Sequence, residues 1–190
     1  MNGGVDDNRP DGDIWVFGYG SLMWRPGFPH VEARHAMLHG YHRALCIYSW
    51  EYRGTPKKPG LVFGLDRGGS CKGMAFRVAA MDVEEALAYL DERELITHVY
   101  QPRWRPVTIL DGPSPGPVTA YYFVADPSHD QYAGKLSDDE TVRLVLQGCG
   151  KSGLCIDYLT NTYAHLEELE IHDEHLARII CLVKAEMAAR

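Results

Sequence analysis

The chain has no run of lysine and arginine dense enough to follow a phosphate backbone, and its formal net charge is −7. Nucleic acid and anionic membrane surfaces are therefore poor partners for it. No apolar stretch approaches the roughly 20 residues of a transmembrane helix. The opening residues, MNGGVDDNRPDGD, are acidic and lack the apolar core of a signal peptide. Residues 1–13 read instead as a disordered lead-in. Cysteine is sparse: Cys46, Cys71, Cys149, Cys155 and Cys181 are odd in number and contain no Cys-x-x-Cys pair. That argues against a disulfide framework and for free thiols in a reducing cytoplasm. Cys181, between Ile180 and Leu182, reads as a small core residue. Internal repeats and a splitting linker are also missing, so residues 14–190 are expected to form a single domain. What is present, 45% hydrophobic and 24% charged residues over 190 positions, suits a globular protein able to bury a proper core.

Strand patterns come first along the chain. Ile14 to Phe17 is a short apolar run entering the Gly18-Tyr19-Gly20-Ser21 turn. Ala36 to Tyr48 can hold one or two strands. Leu61 to Leu65 and Lys72 to Val78 flank Arg67-Gly68-Gly69 and predict a hairpin. Trp104 to Leu110 and Val118 to Ala125 are separated by DGPSPGP, too rich in Pro and Gly for helix or central strand. Helices gather late. Ser137 and Glu140 make a capping box, with Gly148 and Gly150 closing that helix. Asp157 to Glu170 and Asp173 to Ala189 follow, the latter with Leu176, Ile179, Ile180, Val183 and Met187 at helical spacing. This order predicts an α+β fold with a small barrel.

The segment DVEEALAYLDEREL, Asp82 to Leu95, organises the functional reading. Asp82 and Glu85 have the spacing of a capping box. Stepping 100° per residue places Val83, Ala86, Leu87 and Leu90 on one side, with Glu94 near the middle of that stripe. Glu84, Glu85 and Glu92 fall on the flank or the opposite face. A carboxyl group moved into apolar surroundings has a raised pKa, which suits a general acid or base near neutrality. The alternative is a helix frayed at Arg93, with Glu94 at its exposed end.

Other candidates are weaker alone. Gly18-Tyr19-Gly20-Ser21-Leu22 is neither a Gly-x-Ser-x-Gly elbow nor a phosphate loop. Its two glycines can bring backbone N–H groups to a carboxylate or oxyanion, or simply form a tight turn. His35, His39 and His42, and likewise Glu168, His172 and His175, lack the spacing of a zinc or iron site, so no metal is expected. Arg53, in the basic loop RGTPKKPG, is either a carboxylate clamp or a solvated surface arginine.

Three segments in order carry a resemblance. WVFGYGSLMWRPGFP (15–29), RGTPKKPG (53–60) and YLDERE (89–94), with CKGMAFRV ahead of the helix, resemble the ChaC family of γ-glutamylcyclotransferases. The resemblance is specific from about Trp15 to Glu94. It implies a γ-glutamylcyclotransferase-like fold: α+β, a small mixed β-barrel with surrounding helices. It further implies cleavage of glutathione to 5-oxoproline and cysteinylglycine without metal or organic cofactor. By similarity, Val16, Phe17, Gly18, Tyr19, Gly20, Ser21 and Leu22 hold the γ-glutamyl group, largely through backbone atoms, and Glu94 is the catalytic glutamate.

Two departures stand out. Family members commonly follow that glutamate with Lys-Gly-Gly-Tyr-Arg, where this chain has Leu95-Ile96-Thr97-His98-Val99-Tyr100. A Gly-x-x-Gly…Tyr-Leu motif near Gly150 to Leu159 usually carries Asn where Cys155 stands. The remaining readings are action on another γ-glutamyl amino acid or amine, and a non-catalytic regulator linked to cation transport.

Overall fold

Short apolar runs broken by glycine and proline become the strands of a closed barrel in the computed structural model, which describes residues 8–189. Most of the lead-in expected over residues 1–13 lies outside the described residues. Five strands, β1 (Ile14–Gly18), β2 (Glu32–Ser49), β3 (Gly60–Val78), β4 (Tyr100–Ile109) and β5 (Gly116–Ala125), close in the order β1-β3-β2-β4-β5. β1 runs antiparallel to β3, with Gly18 opposite Met74. It runs parallel to β5, with Trp15 opposite Ala120, so the barrel is mixed as expected. β4 and β5 form a long antiparallel ladder from Tyr100–Ala125 to Ile109–Gly116, and the Pro/Gly-dense segment makes their turn.

The chain divides into two compact units. One comprises the residues up to Ala44 together with Gly64–His129; the other comprises Leu45–Phe63 and the residues from Asp130 on. The first unit also holds α1 (Val83–Glu94). The second holds α2 (Asp138–Gln147), the short strands β6 (Cys149–Gly150) and β7 (Gly153–Leu154), α3 (Cys155–Glu168) and α4 (Glu174–Ala188). Leu144, Val145, Leu159, Leu166, Leu176, Ile179, Ile180 and Val183 form the buried side of its helices. The Ser137–Glu140 capping box is present in both arms. Asp173 caps α4 through the Leu176 N–H at 3.0 Å.

The sequence reading fails at four places, each for an identifiable reason. The hairpin expected around Arg67-Gly68-Gly69 is one continuous strand, β3. Gly68 and Gly69 adopt φ of +93° and +68° within it, a distortion that glycine tolerates without ending the strand. Asp82 makes no side-chain cap to α1. A 3-10 turn, Ala80–Asp82, leads into the helix instead, and the Ala80 N–H donates to Asp13, remote in sequence, at 2.9 Å. Cys181 is exposed, not core, because the buried stripe of α4 runs through Leu176, Ile179, Ile180 and Val183. A residue one step past Ile180 is turned 100° away from it. Met187 lies beyond the end of that stripe and is 52% exposed.

Candidate active site

In the first unit, β1 delivers the glycine turn to the barrel rim. Val16 and Phe17 are fully buried and Tyr19 and Leu22 nearly so, whereas Gly20 and Ser21 are half-exposed. Val16, Phe17 and Leu22 therefore seat the turn in the barrel, and the accessible part is Gly20-Ser21. No heavy atom beyond its chain neighbours lies within 4 Å of where a β-carbon on Gly20 would stand, so the space on that side of the turn is open. After Gly20 the chain makes a 3-10 turn, Ser21–Met23, closed by the Met23 N–H on the Gly20 carbonyl at 2.9 Å. Gly73 explains the CKGMAFRV segment on neighbouring β3, since any β-carbon there would collide with the Gly18 carbonyl oxygen.

The C-terminal end of α1 approaches this turn. Val83, Ala86 and Leu90 are buried and Leu87 is half-buried, while Glu84, Glu85 and Glu92 are exposed. Full burial of a leucine such as Leu90 stabilises by about 1.5–3 kcal/mol, so the stripe fixes the helix's rotation. Glu94 is the last helical residue. Its side chain is 21% exposed, reachable yet mostly out of water. Burial pushes its carboxyl above the ordinary value of 4.5, and the Arg93 charge pulls the other way without cancelling the shift. The Leu95 N–H closes the helix on the Asp91 carbonyl at 3.0 Å.

Arg93 joins the two parts. Its guanidinium donates to Ser21 Oγ at 2.8 Å, to the Arg25 carbonyl at 2.8 Å and to the Tyr89 hydroxyl at 3.0 Å. Its Nε lies 3.2 Å from Glu94 Oε1. The same loop passes so close beneath Tyr89 that a β-carbon on Gly27, at φ +77°, would collide with the phenol oxygen. One turn back on α1, Asp91 accepts a 2.6 Å hydrogen bond from Tyr121 of β5. Burial first, and Asp91 second, push the Tyr121 phenol far up, so it stays protonated and anchors the helix to the barrel. The arrangement offers one carboxyl of raised proton affinity beside a turn whose Gly20 and Ser21 are half-exposed. That combination suits proton transfer on a bound, polar substrate.

In the second unit, Arg53 is held by its own surroundings. Its guanidinium donates to the Ser152 carbonyl at 2.6 Å and the Leu154 carbonyl at 3.1 Å, and lies 5.4 Å from the centre of the Tyr158 ring. Cys155 is buried. Its thiol donates to the Leu61 carbonyl at 3.1 Å and accepts from the Leu61 N–H at 3.3 Å. The histidines have local partners: His35 with Asp111 at 2.8 Å, His42 with the Gly68 carbonyl at 3.0 Å, His165 with Glu168 at 3.0 Å. Among the described residues, no three His, Cys, Asp or Glu side chains are grouped to hold a metal ion.

Comparison with known proteins now decides the family. The ChaC-like protein family matches residues 14–186. The chain is 35% identical to the glutathione-specific gamma-glutamylcyclotransferase of Escherichia coli K12, covering 95% of this chain and 77% of that protein. It is 34% identical to the human glutathione-specific gamma-glutamylcyclotransferase 1, over 90% of this chain and 80% of that one. The crystal structure of a yeast gamma-glutamyl cyclotransferase specific to glutathione superposes with a TM-score of 0.81. It is 20% identical, and the match covers 92% of this chain and 97% of that one. The chain belongs to the ChaC-like family.

Within this ChaC-like chain the departures have structural form. After Glu94 the backbone turns through His98 at φ +56°, a left-handed conformation uncommon for a residue with a side chain. At the position where the family pattern carries Asn, Cys155 makes the donor–acceptor pair with Leu61 that an amide side chain could also make. Sequence reasoning overlooked Arg43, buried on β2 with its Nε donating to the Tyr19 carbonyl at 2.6 Å. A signal existed. Beyond Gly40, at φ +87°, the buried residues of β2 change from Ala36 and Leu38 to Arg43, Leu45 and Ile47, so Arg43 occupies an inward position. Tyr121 and Asp91 carried no comparable signal, because their pairing joins β5 to α1 across the fold.

Proposed function

We propose that this chain is a γ-glutamylcyclotransferase that converts glutathione to 5-oxoproline and cysteinylglycine, with Glu94 as its general base and acid. The observation that carries the reading is the raised, partly accessible Glu94 carboxyl, tied through Arg93 to the glycine turn. The names of the E. coli, human and yeast relatives supply the substrate class.

The reaction needs no outside nucleophile. The substrate's own α-amine attacks its γ-carbonyl carbon and closes a five-membered lactam. The bond from that carbon to the cysteinyl nitrogen then breaks. A free α-amine titrates at roughly 7.7–8.0, so a base must often remove its proton. Glu94 takes that proton and delivers it to the leaving nitrogen, returning to its starting state. Holding the γ-glutamyl chain folded supplies proximity, a contribution that reaches about 7–11 kcal/mol in well-oriented intramolecular reactions. Backbone N–H groups around Gly20 and Ser21 serve the substrate carboxylate or the developing oxyanion. Residues 14–190 act as one domain in this scheme, and the family match spans residues 14–186. That none of the five cysteines is in a disulfide fits a reducing, cytoplasmic setting. Among the described residues, no helix is long and apolar enough to cross a membrane.

The departure at Leu95–Tyr100, next to Glu94, favours one second reading: the same cyclisation on another γ-glutamyl amino acid or amine. The test is 5-oxoproline release from glutathione and from a panel of γ-glutamyl compounds by wild type, Glu94→Gln and Glu92→Gln, with circular dichroism on each. Glu94→Gln should lose about 100-fold or more in kcat while remaining folded. Glu92→Gln, on the exposed face, should stay within about twofold of wild type. Equal behaviour of the two variants would remove Glu94 from the mechanism.

A further inference from the structure

Arg43 is a guanidinium placed inside the first unit, only 7% exposed, on a strand whose other buried residues are apolar apart from Ser49. Burying a charged side chain is costly unless it is closely partnered, so its partners show what the position serves. Two of those partners are main-chain carbonyls: Tyr19, from Nε at 2.6 Å, and Lys72, from Nη2 at 2.8 Å. Tyr19 lies in the glycine turn. Lys72 lies on β3 immediately before Gly73, the residue that packs against the Gly18 carbonyl. Arg43 therefore grips the turn and its supporting strand from the barrel side.

The geometry has a consequence for the accessible face. A trans peptide points its C=O and N–H to opposite edges. With the Tyr19 carbonyl drawn onto the guanidinium, the N–H of the same peptide, which belongs to Gly20, is directed away from Arg43. Gly20 is half-exposed, and the space where its β-carbon would stand is open. We propose that Arg43 is a positioning residue for the cyclotransferase reaction, fixing the Tyr19–Gly20 peptide so that the Gly20 N–H is presented to the γ-glutamyl substrate. This inference rests on the function proposed above. A lysine in its place has one compact ammonium and lacks the planar fork that holds two carbonyls at fixed angles.

The experiment compares wild type, Arg43→Lys, Arg43→Met and Leu38→Ala by thermal unfolding and by kcat and KM for glutathione, well below the lowest melting temperature. Glutathione affinity is also measured by calorimetry in the Glu94→Gln background, with and without Arg43→Lys. Leu38 is buried on the same strand and serves as the destabilised control. Arg43→Lys should lose about tenfold or more in kcat/KM, as expected when one preorganised backbone donor is misaligned. Leu38→Ala should keep kcat/KM near wild type despite its lower melting temperature. Arg43→Met should be no better than Arg43→Lys. Unchanged kcat/KM and unchanged glutathione affinity in a folded Arg43→Lys protein would overturn the proposal. So would equal losses in Arg43→Lys and Leu38→Ala. Wild type that releases no 5-oxoproline from any γ-glutamyl compound would instead overturn the underlying reading, a result distinct from either.

Discussion

Arg93, one residue before the end of α1, donates a 2.8 Å hydrogen bond to Ser21 Oγ in the turn that follows β1. The two lie far apart in sequence, and the bond sets the end of the helix against the turn. Because the Arg93 guanidinium also reaches the Arg25 carbonyl and Tyr89, its removal should be felt more than the loss of Ser21. Arg93→Met is expected to lower kcat/KM by about 10- to 100-fold, because small displacements of a positioned group are costly in rate. Ser21→Ala should cost only a few-fold. If the serine acts through the arginine, the double variant should be little worse than Arg93→Met alone, a non-additivity that kinetics on all four proteins would measure.

The Glu94 carboxyl titrates above its ordinary value of 4.5 because burial disfavours its charged form. A group whose folded-state pKa is raised favours folding below its unfolded pKa and loses that contribution as pH rises through the folded pKa. Wild type should therefore gain on Glu94→Gln in thermal stability as pH falls from 7 to 4, and Glu94→Gln should be the more stable of the two at pH 7. Activity should run in the opposite sense. The base works when ionised, so the acid limb of kcat/KM should have its midpoint above 4.5, and melting curves with pH–rate profiles would check both.

How far the sequence revealed this site depends on whether each signal was local. The inward turn of Glu94 was readable because Val83, Ala86 and Leu90 repeat at helical spacing on the same segment. The Ser137–Glu140 box was readable for the same reason. Asp82 and Glu85 carry an equally good local pattern, yet Asp82 makes no side-chain cap, because a 3-10 turn leads into the helix and the remote Asp13 holds the start of that turn at the Ala80 N–H. Gly68-Gly69 read as a turn because glycine permits positive φ, which it also permits inside a strand. Arg43 resisted recognition because an arginine is ordinarily exposed, and only the change of phase across Gly40 places it inside.

Gly27 and Tyr89 provide a test of the loop's seat against α1. Residue 27 has φ +77°, and any side chain there meets the Tyr89 ring. Gly27→Ala combines left-handed strain with overpacking and should destabilise by about 1–3 kcal/mol. Adding Tyr89→Ala would remove the collision and leave the backbone strain. The double variant should thus retain a loss relative to Tyr89→Ala alone, but a smaller one than Gly27→Ala shows in the wild-type background. Chemical denaturation of the four proteins measures both terms.

The five thiols should differ sharply in reactivity, although none is in a disulfide. Cys149 and Cys181 are exposed, whereas Cys46, Cys71 and Cys155 are buried. Burial also pushes the Cys155 thiol up to about 11, so little of it is the nucleophilic thiolate near neutrality. Iodoacetamide on the folded protein, read by mass spectrometry, should label Cys149 and Cys181 and spare the other three until denaturant is added. Cys155 instead has a structural task, since its sulfur both donates to and accepts from the backbone of Leu61. Cys155→Ala leaves the Leu61 N–H and carbonyl without that partner in a buried place and should cost about 1–3 kcal/mol. Cys155→Ser keeps a donor and an acceptor at the position and should lose less. Early alkylation of Cys155, or equal stability of the alanine and serine variants, would show that the clip to Leu61 contributes nothing.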